Sequence, residues 1–402
     1  VGDGHRLRIL YASFGYLPLI GGGELQLHGV ARRLRARGHA PRVVCQRARP
    51  VDDWIDDATV AADPGGESEV DGVPVVRLGP SGARRRALAP WVALYRTYGR
   101  ASPFASRRIA GLLAPDLARA AGAPQIVHAV RMGQEFLARA ALAFARARGL
   151  PFVLTRLRHP PGPNPLHRAY DELARAADAV VAMTDAERDV LADECGVDPA
   201  RIHVFGVGPV LSDAGDVDAF RARHGIAGPY VLFLGRRVRH KGAHALLAAA
   251  RHVWERHPEV RFVFAGPPTP EFDRLRAETG DPRVLDLGVV DEADKAAALA
   301  GCELLCVPSV EESFGAVYVE AWSFAKPVVA ARTPVVASVV EDGRTGWLAA
   351  PEPGALAERI GWLLDHPARA RELGEAGRRE VDRRWSWKRL VDRTEALYRS
   401  LV

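Results

Sequence analysis

At 402 residues, 48% hydrophobic and 26% charged, the chain is long for one hydrophobic core and fits two domains of about 200 residues each. It holds no uninterrupted apolar run long enough to span a bilayer and no secretory apolar core at its amino end, so neither a membrane span nor a leader is expected. Charge is unevenly divided: residues 1–160 carry 24 Lys/Arg against 12 Asp/Glu, and residues 161–402 carry 31 against 37. So basic an amino-terminal half suits an anionic ligand, an acidic membrane or nucleic acid, although arginine-rich stretches such as 31–37 also read as solvated helix surface.

Arg8–Ala12 is a short apolar strand, followed by the glycine segment Gly21-Gly22-Gly23-Glu24 and an amphipathic helix through Arg37. Gly38-His39 ends that helix, and a second strand starts at Pro41. Strand, glycine loop, helix, strand is the opening of a parallel α/β sheet, and the glycines let backbone N–H groups approach a phosphate or sugar. Gly-x-Gly-x-x-Gly is absent, so this is no dinucleotide fingerprint. Residues 51–72 are acidic and read as a surface insertion. Residues 81–108 interleave Arg84-Arg85-Arg86 and Arg107-Arg108 with Trp91, Tyr95, Tyr98 and Phe104. That pattern fits a lipid surface or a large acceptor; a helix with its aromatic face in the core is the reading favoured here. Strands follow at 125–129 and 151–155, and the second leads into the loop Arg156–Gly162, at the edge of a sheet where α/β ligands sit. His128 and His159 are therefore candidate site histidines.

Ala177–Thr184 is a further strand, capped into a helix at Asp185, and Phe205-Gly206-Val207-Gly208 reads as the hinge. Asp216-Val217-Asp218 has the form of a metal-binding pair but stands at a helix start, so charge complementing that start is the preferred reading. A second α/β series begins at Tyr230–Leu234, continues through 261–265 and 284–290, and reaches the apolar run Leu304–Val307. There Pro308-Ser309-Val310-Glu311-Glu312-Ser313-Phe314-Gly315 turns into a helix holding Glu320. Within one helix Glu312 and Glu320 would lie about 12 Å apart; with a turn at 313–315, Glu312 swings over the helix start, whose N–H groups favour an anion. Cys302 and Cys306 are assigned to the apolar strand. Both are expected to be buried free thiols rather than a metal pair, which points to a reducing compartment, the cytoplasm, and no His/Cys cluster has zinc spacing.

Taken together, the chain resembles the retaining glycosyltransferases of family 4, which have the GT-B fold. The resemblance rests on Gly21-Gly22-Gly23-Glu24 with Arg37-Gly38-His39, Thr184-x-x-Glu187, Gly235-Arg236-x4-Lys241-Gly242, Gly266-Pro267 and Leu287-Gly288-Val289. Its most specific element is Pro308-Ser309-x2-Glu312-Ser313-Phe314-Gly315-x4-Glu320-Ala321, leading to Lys326-Pro327-Val328-Val329-Ala330. Lys326 where relatives often have glycine, Phe205–Gly208 at the hinge, and Val130 where a second histidine is common are departures.

The resemblance implies two Rossmann-like parallel-sheet domains facing each other across a cleft: an acceptor domain over 1–208 and a donor domain over 209–380. A C-terminal helix over 381–402 would return to the first. It implies transfer of a hexose-type sugar from a nucleotide diphosphate-sugar to a glycan, lipid or small natural-product hydroxyl, with retention and without a metal. UDP is the expected nucleotide, GDP and dTDP the alternatives. Glu320 would accept the ribose hydroxyls, and Glu312 with Ser313, Phe314 and Gly315 would hold the donor sugar. Arg236 and Lys241 would clamp the diphosphate. Gly22, Gly23 and Gly266 would approach the donor, backbone near Val289 would read the base, and His128 or His159 would be the active-site histidine. The Ala, Arg and Gly content points to a high-GC bacterium. The basic amino half is then a hint of an anionic or lipid-linked acceptor, or of peripheral contact with the inner membrane face. The competing readings are a nucleotide-sugar epimerase of the same fold and a non-catalytic binder of anionic lipid or nucleic acid; no nucleic-acid module is visible, so no nucleic-acid partner is expected.

Overall fold

In the computed structural model, residues 6–18, 21–47, 65–79, 82–97, 99–130, 133–157, 165–213 and 215–402 are described. They form two compact units, the first of residues 1–205 with 387–402 and the second of residues 206–386.

The first unit runs β1 (Arg8–Gly15), α1 (Gly22–Ala36), β2 (Ala40–Arg47), β3 (Gly66–Val70), β4 (Val73–Arg77), α2 (Gly82–Arg96), α3 (Ser102–Ala120) and β5 (Ile126–Val130). It continues with α4 (Phe136–Ala147), β6 (Phe152–Thr155), α5 (Pro165–Ala176), β7 (Ala179–Ala182), α6 (Asp185–Asp193) and β8 (Ile202–Val204). The sheet order is β3-β4-β2-β1-β5-β6-β7-β8, parallel except for the β3–β4 hairpin. Strands β5, β6 and β7 are buried along their whole length, as expected of parallel strands covered on both faces. Helix α6 opens on a capping box: Thr184 accepts the Glu187 N–H at 3.1 Å while the Glu187 carboxylate accepts the Met183 N–H at 2.7 Å. The acidic insertion falls mostly outside the described residues, and its described end, from Gly66, is the edge strand β3.

The second unit runs α7 (Val217–Arg223), β9 (Tyr230–Leu234), α8 (Ala243–Trp254), β10 (Arg261–Ala265), α9 (Pro270–Thr279), β11 (Val284–Gly288) and α10 (Glu292–Gly301). Then come β12 (Leu304–Val307), α11 (Ala316–Ser323), β13 (Val328–Ala331), α12 (Pro334–Ala337), β14 (Trp347–Ala349), α13 (Pro353–Asp365) and α14 (Pro367–Glu380). Its strands are all parallel, in the order β11-β10-β9-β12-β13-β14. The order therefore reverses between β9 and β12. Asp216 caps α7, accepting the Ala219 N–H at 2.9 Å, which is the helix-start role. Cys302 is corrected: it is buried at the end of α10, not in a strand, because the chain turns there before β12 begins.

The last helix, α15 (Trp387–Leu401), belongs to the first unit. It buries Leu390, Val391, Leu397 and Tyr398. Its exposed side is tied to the end of α1 by Arg37, which reaches Asp392 at 2.7 Å and Glu395 at 3.0 Å.

Candidate active site

In an open α/β sheet, ligands sit at the carboxyl edge where the strand order reverses, because the loops there leave in opposite directions. In the second unit that point lies between β9 and β12, which pair in parallel at Leu304↔Val231 and Leu305↔Leu232. The loops that leave them are 235–242 and 308–315.

These two loops are bound into one surface. Gly242 has φ +81°, and a side chain there would meet the Pro308 carbonyl at 2.5 Å, so only glycine lets the first loop pass so close to the second. Val310 donates its N–H to the His240 carbonyl at 2.9 Å, and the Ser309 hydroxyl donates to the same oxygen at 3.3 Å. On this surface Lys241 Nζ pairs with Glu312 Oε1 at 2.7 Å and also donates to the Glu311 carbonyl at 3.2 Å. Arg236 is exposed, and its guanidinium makes no ion pair or hydrogen bond among the described residues. Its neighbour Arg237 turns inward, wholly buried, to bind Asp286 and the Gly266 carbonyl. Two adjacent arginines thus divide the work: one holds the loop together and the other faces solvent.

Glu312 stands before the helix rather than in it, because the turn at 313–315 ends in Gly315 at φ +91° and α11 starts at Ala316. Tyr318, one turn along, donates its hydroxyl to the Val307 carbonyl at 2.7 Å and fastens α11 to the end of β12. Glu320 follows, 6% exposed, and burial pushes its carboxyl from 4.5 up to about 7 against the pull of Lys295. Lys295 Nζ lies 3.3 Å from Glu320, 2.9 Å from Glu292 and 2.6 Å from the Val210 carbonyl. It therefore ties Glu320 to the segment that opens this unit. Val289, just past β11, is 72% exposed.

In the first unit Gly22 and Gly23 open α1. A Cβ at Gly22 would meet nothing within 4 Å, so the backbone of that first turn is accessible. Glu24 follows, its carboxyl raised by burial. Behind the segment, Tyr16 bonds to His28 Nδ1 at 2.7 Å, and His28 Nε2 to Asp71 at 2.9 Å.

His128 as an active-site histidine is corrected. It is buried inside the first unit, with Nδ1 2.6 Å from the Tyr398 hydroxyl and Nε2 2.7 Å from the Thr155 hydroxyl. Burial brings its pKa down to about 3, so it is a neutral internal link to α15 rather than a base open to substrate. His159 and Tyr98 lie outside the described residues. The core reading of the 81–108 aromatics is also corrected in part: Tyr95 is buried, whereas Phe104 is 53% exposed. Among the described residues, no three His, Cys, Asp or Glu side chains stand together as a metal site.

Lys295 and Arg237 are the site residues that sequence reasoning missed. Glu292–Lys295 looks like an ordinary helix-surface pair, and only the fold brings Lys295 to Glu320.

Residues 216–380 match the family "Glycosyl transferases group 1", and residues 21–208 match "Glycosyl transferase 4-like domain". The chain belongs to glycosyltransferase family 4, with the GT-B fold. It is 32% identical to D-inositol 3-phosphate glycosyltransferase 1 of Catenulispora acidiphila over 329 residues, 73% of this chain and 77% of that one. It is 34% identical to D-inositol 3-phosphate glycosyltransferase 2 of the same organism over 246 residues, 57% of each, so it spans little more than half of that relative. Among solved structures, Anabaena HepE in complex with UDP and glucose superposes with a TM-score of 0.72 at 19% identity, covering 98% of this chain and all of that one.

Proposed function

We propose that the chain transfers a hexose-type sugar from a UDP-sugar to a hydroxyl of a small acceptor carrying negative charge, with retention at the anomeric centre. The observation that carries this reading is the surface at the β9–β12 reversal, where exposed Arg236 and the Lys241–Glu312 pair lie on two joined loops, the second of which runs into the start of α11, the helix that buries Glu320. In this reading Arg236 and Lys241 neutralise the diphosphate as the glycosidic bond breaks, in place of a divalent ion. Before that, Lys241 is occupied by Glu312; a diphosphate competes for its ammonium and frees Glu312 to accept hydroxyls of the sugar, alongside the N–H groups of Phe314 and Gly315. Glu320 accepts the ribose hydroxyls, Gly266 keeps the floor of the site closely packed, and backbone at Val289 meets the base. Gly22 and Gly23 offer an uncapped helix start suited to a phosphate or sugar. The acceptor hydroxyl attacks the face from which the phosphate departs, and its proton passes to that phosphate.

UDP is supported by the nucleotide bound in the HepE structure. A small anionic acceptor is supported by the inositol phosphate named for the relatives and by the basic amino half. A cytoplasmic location agrees with the burial of all four cysteines.

A thermal-shift screen of UDP, GDP, dTDP and their sugars tests the donor: UDP is expected to raise the melting midpoint most, since a ligand stabilises the state it binds. NMR of the product is expected to show the donor's anomeric configuration; an inverted centre, or epimerisation of donor without acceptor, would sink the reading. Lys241→Ala is expected to lower turnover about a hundredfold or more while leaving the fold intact. Unchanged kinetics would remove its role on the phosphate.

A further inference from the structure

We propose that the outer face of the α2–α3 hairpin docks on a bilayer surface rich in anionic lipid, with Phe104 and Trp91 at the level of the headgroups. The hairpin is unusual in charge. Between Val73 and Pro115 the chain has eight arginines and no aspartate or glutamate. The first carboxylate after this stretch, Asp116, is already bound by Arg84 and Arg119. Arg85, Arg86, Arg96, Arg100, Arg107 and Arg108 are all exposed.

The apolar half of the patch is equally defined. Phe104 is 53% exposed and packs edge-on against half-buried Trp91 at 5.7 Å. The Arg108 guanidinium lies 5.3 Å from the Trp91 ring and 5.7 Å from the Phe104 ring, joining them into one cluster. Arg107 and Arg108 stand three and four residues after Phe104, on its side of α3. Exposed Pro90 lies beside Trp91, one turn beyond Arg86 on α2.

This exposure does not come from a loosely packed helix. The opposite faces bury Leu88, Val92 and Tyr95 from α2 and Ala105, Ile109 and Leu113 from α3 in the core of the unit. The Tyr95 hydroxyl donates to buried Glu135 at 2.9 Å, and Ser106 donates to the same carboxylate at 2.6 Å. The hairpin is therefore a firm platform with a basic, aromatic outer face. Arginine stems and aromatic rings together suit the boundary between headgroups and acyl chains, where a ring is half wet and a guanidinium meets phosphate. A stacking platform for unpaired bases needs an open ring face, and here the Trp91 ring already has Arg108 over it. Among the described residues no helix is long and apolar enough to cross a membrane, so the contact proposed is peripheral.

Sedimentation of the full chain with phosphatidylcholine vesicles, with and without phosphatidylglycerol, tests this without any nucleotide or acceptor and so independently of the donor reading. Binding is expected only with phosphatidylglycerol and is expected to weaken as salt rises. Joint Arg86→Glu and Arg107→Glu substitution is expected to lower the apparent affinity at least about tenfold, and Phe104→Ser several-fold. Both leave the melting midpoint unchanged because the altered side chains are exposed. Arg379→Glu, exposed in the second unit, is expected to bind as the parent does. The proposal is overturned by equal binding to both vesicle types, by no binding, by variants that bind like the parent, or by capture of single-stranded DNA under conditions where the anionic vesicles are ignored.

Discussion

A carboxyl that holds its proton to about pH 7 is poorly suited to accept two hydroxyls until something ionises it, and Glu320 is such a group. Its folded pKa lies above its unfolded value, so its contribution to stability is complete below about pH 4.5 and is lost as pH rises through about 7. The full swing is on the order of 3 kcal/mol, at roughly 1.4 kcal/mol per pKa unit. Wild-type protein is therefore expected to lose melting temperature between pH 5 and pH 8 relative to Glu320→Gln, as followed by calorimetry. Ribose hydroxyls favour the ionised form, so UDP affinity should tighten over the same interval and lose that dependence in Glu320→Gln. Lys295→Met removes the nearest cation and should move the titration to higher pH. A titration that stays put would deny Lys295 its influence on the site.

At the scale of elements, the site depends on how closely two loops approach each other. Gly242→Ala places a methyl against the Pro308 backbone at a left-handed φ, which should cost about 1–3 kcal/mol. If the loops act as one surface, UDP affinity should fall with stability; calorimetry and titration of the same variant would show stability lost with affinity kept if they do not. The alternation of strands and helices was legible because parallel strands covered on both faces are written as short apolar runs, as in Leu304–Val307 and Val328–Ala331. The turn at 313–315 was legible because Gly315 and the helical spacing after it mark the boundary locally. What could not be read is what depends on distant parts meeting. Lys295 acquires its partner only when α10 packs beside α11, and nothing local distinguishes outward Arg236 from inward Arg237. His128 misled for the same reason: a histidine in a strand looks alike whether its ring reaches a substrate or a tyrosine from the far end of the chain. The aromatic residues of 81–108 had the right period for a helix, but periodicity did not show that Phe104 falls on the outer side of a second helix.

At the largest scale, the first unit joins the two ends of the chain through the three-way link of His128, Tyr398 and Tyr11, in which Tyr398 and Tyr11 stand 2.9 Å apart. With Tyr398 donating to Tyr11, His128 donates through Nδ1 and accepts from Thr155 through Nε2, a neutral ring with both nitrogens satisfied. Tyr398→Phe leaves a buried donor without its acceptor and should lower stability by about 1–3 kcal/mol, measurable in urea. The histidine's folded pKa lies below its ordinary 6.5, so its contribution is present above that value and lost as pH falls below it. An acid-melting profile unchanged between the parent and His128→Gln would contradict this assignment.

The return of α15 also sets an order of events during synthesis. A ribosome that has released residues 1–205 has not yet made the helix that covers Leu10's neighbour Tyr11 and binds His128. The first unit must wait, with that surface uncovered, while the whole of 206–386 is translated. The second unit is continuous in sequence and can fold as it emerges, so the first part of the chain to appear should be the last to finish. Pulsed proteolysis of stalled nascent chains would then find residues 206–386 protected before residues 1–205, and protection of the latter only once α15 has cleared the exit tunnel.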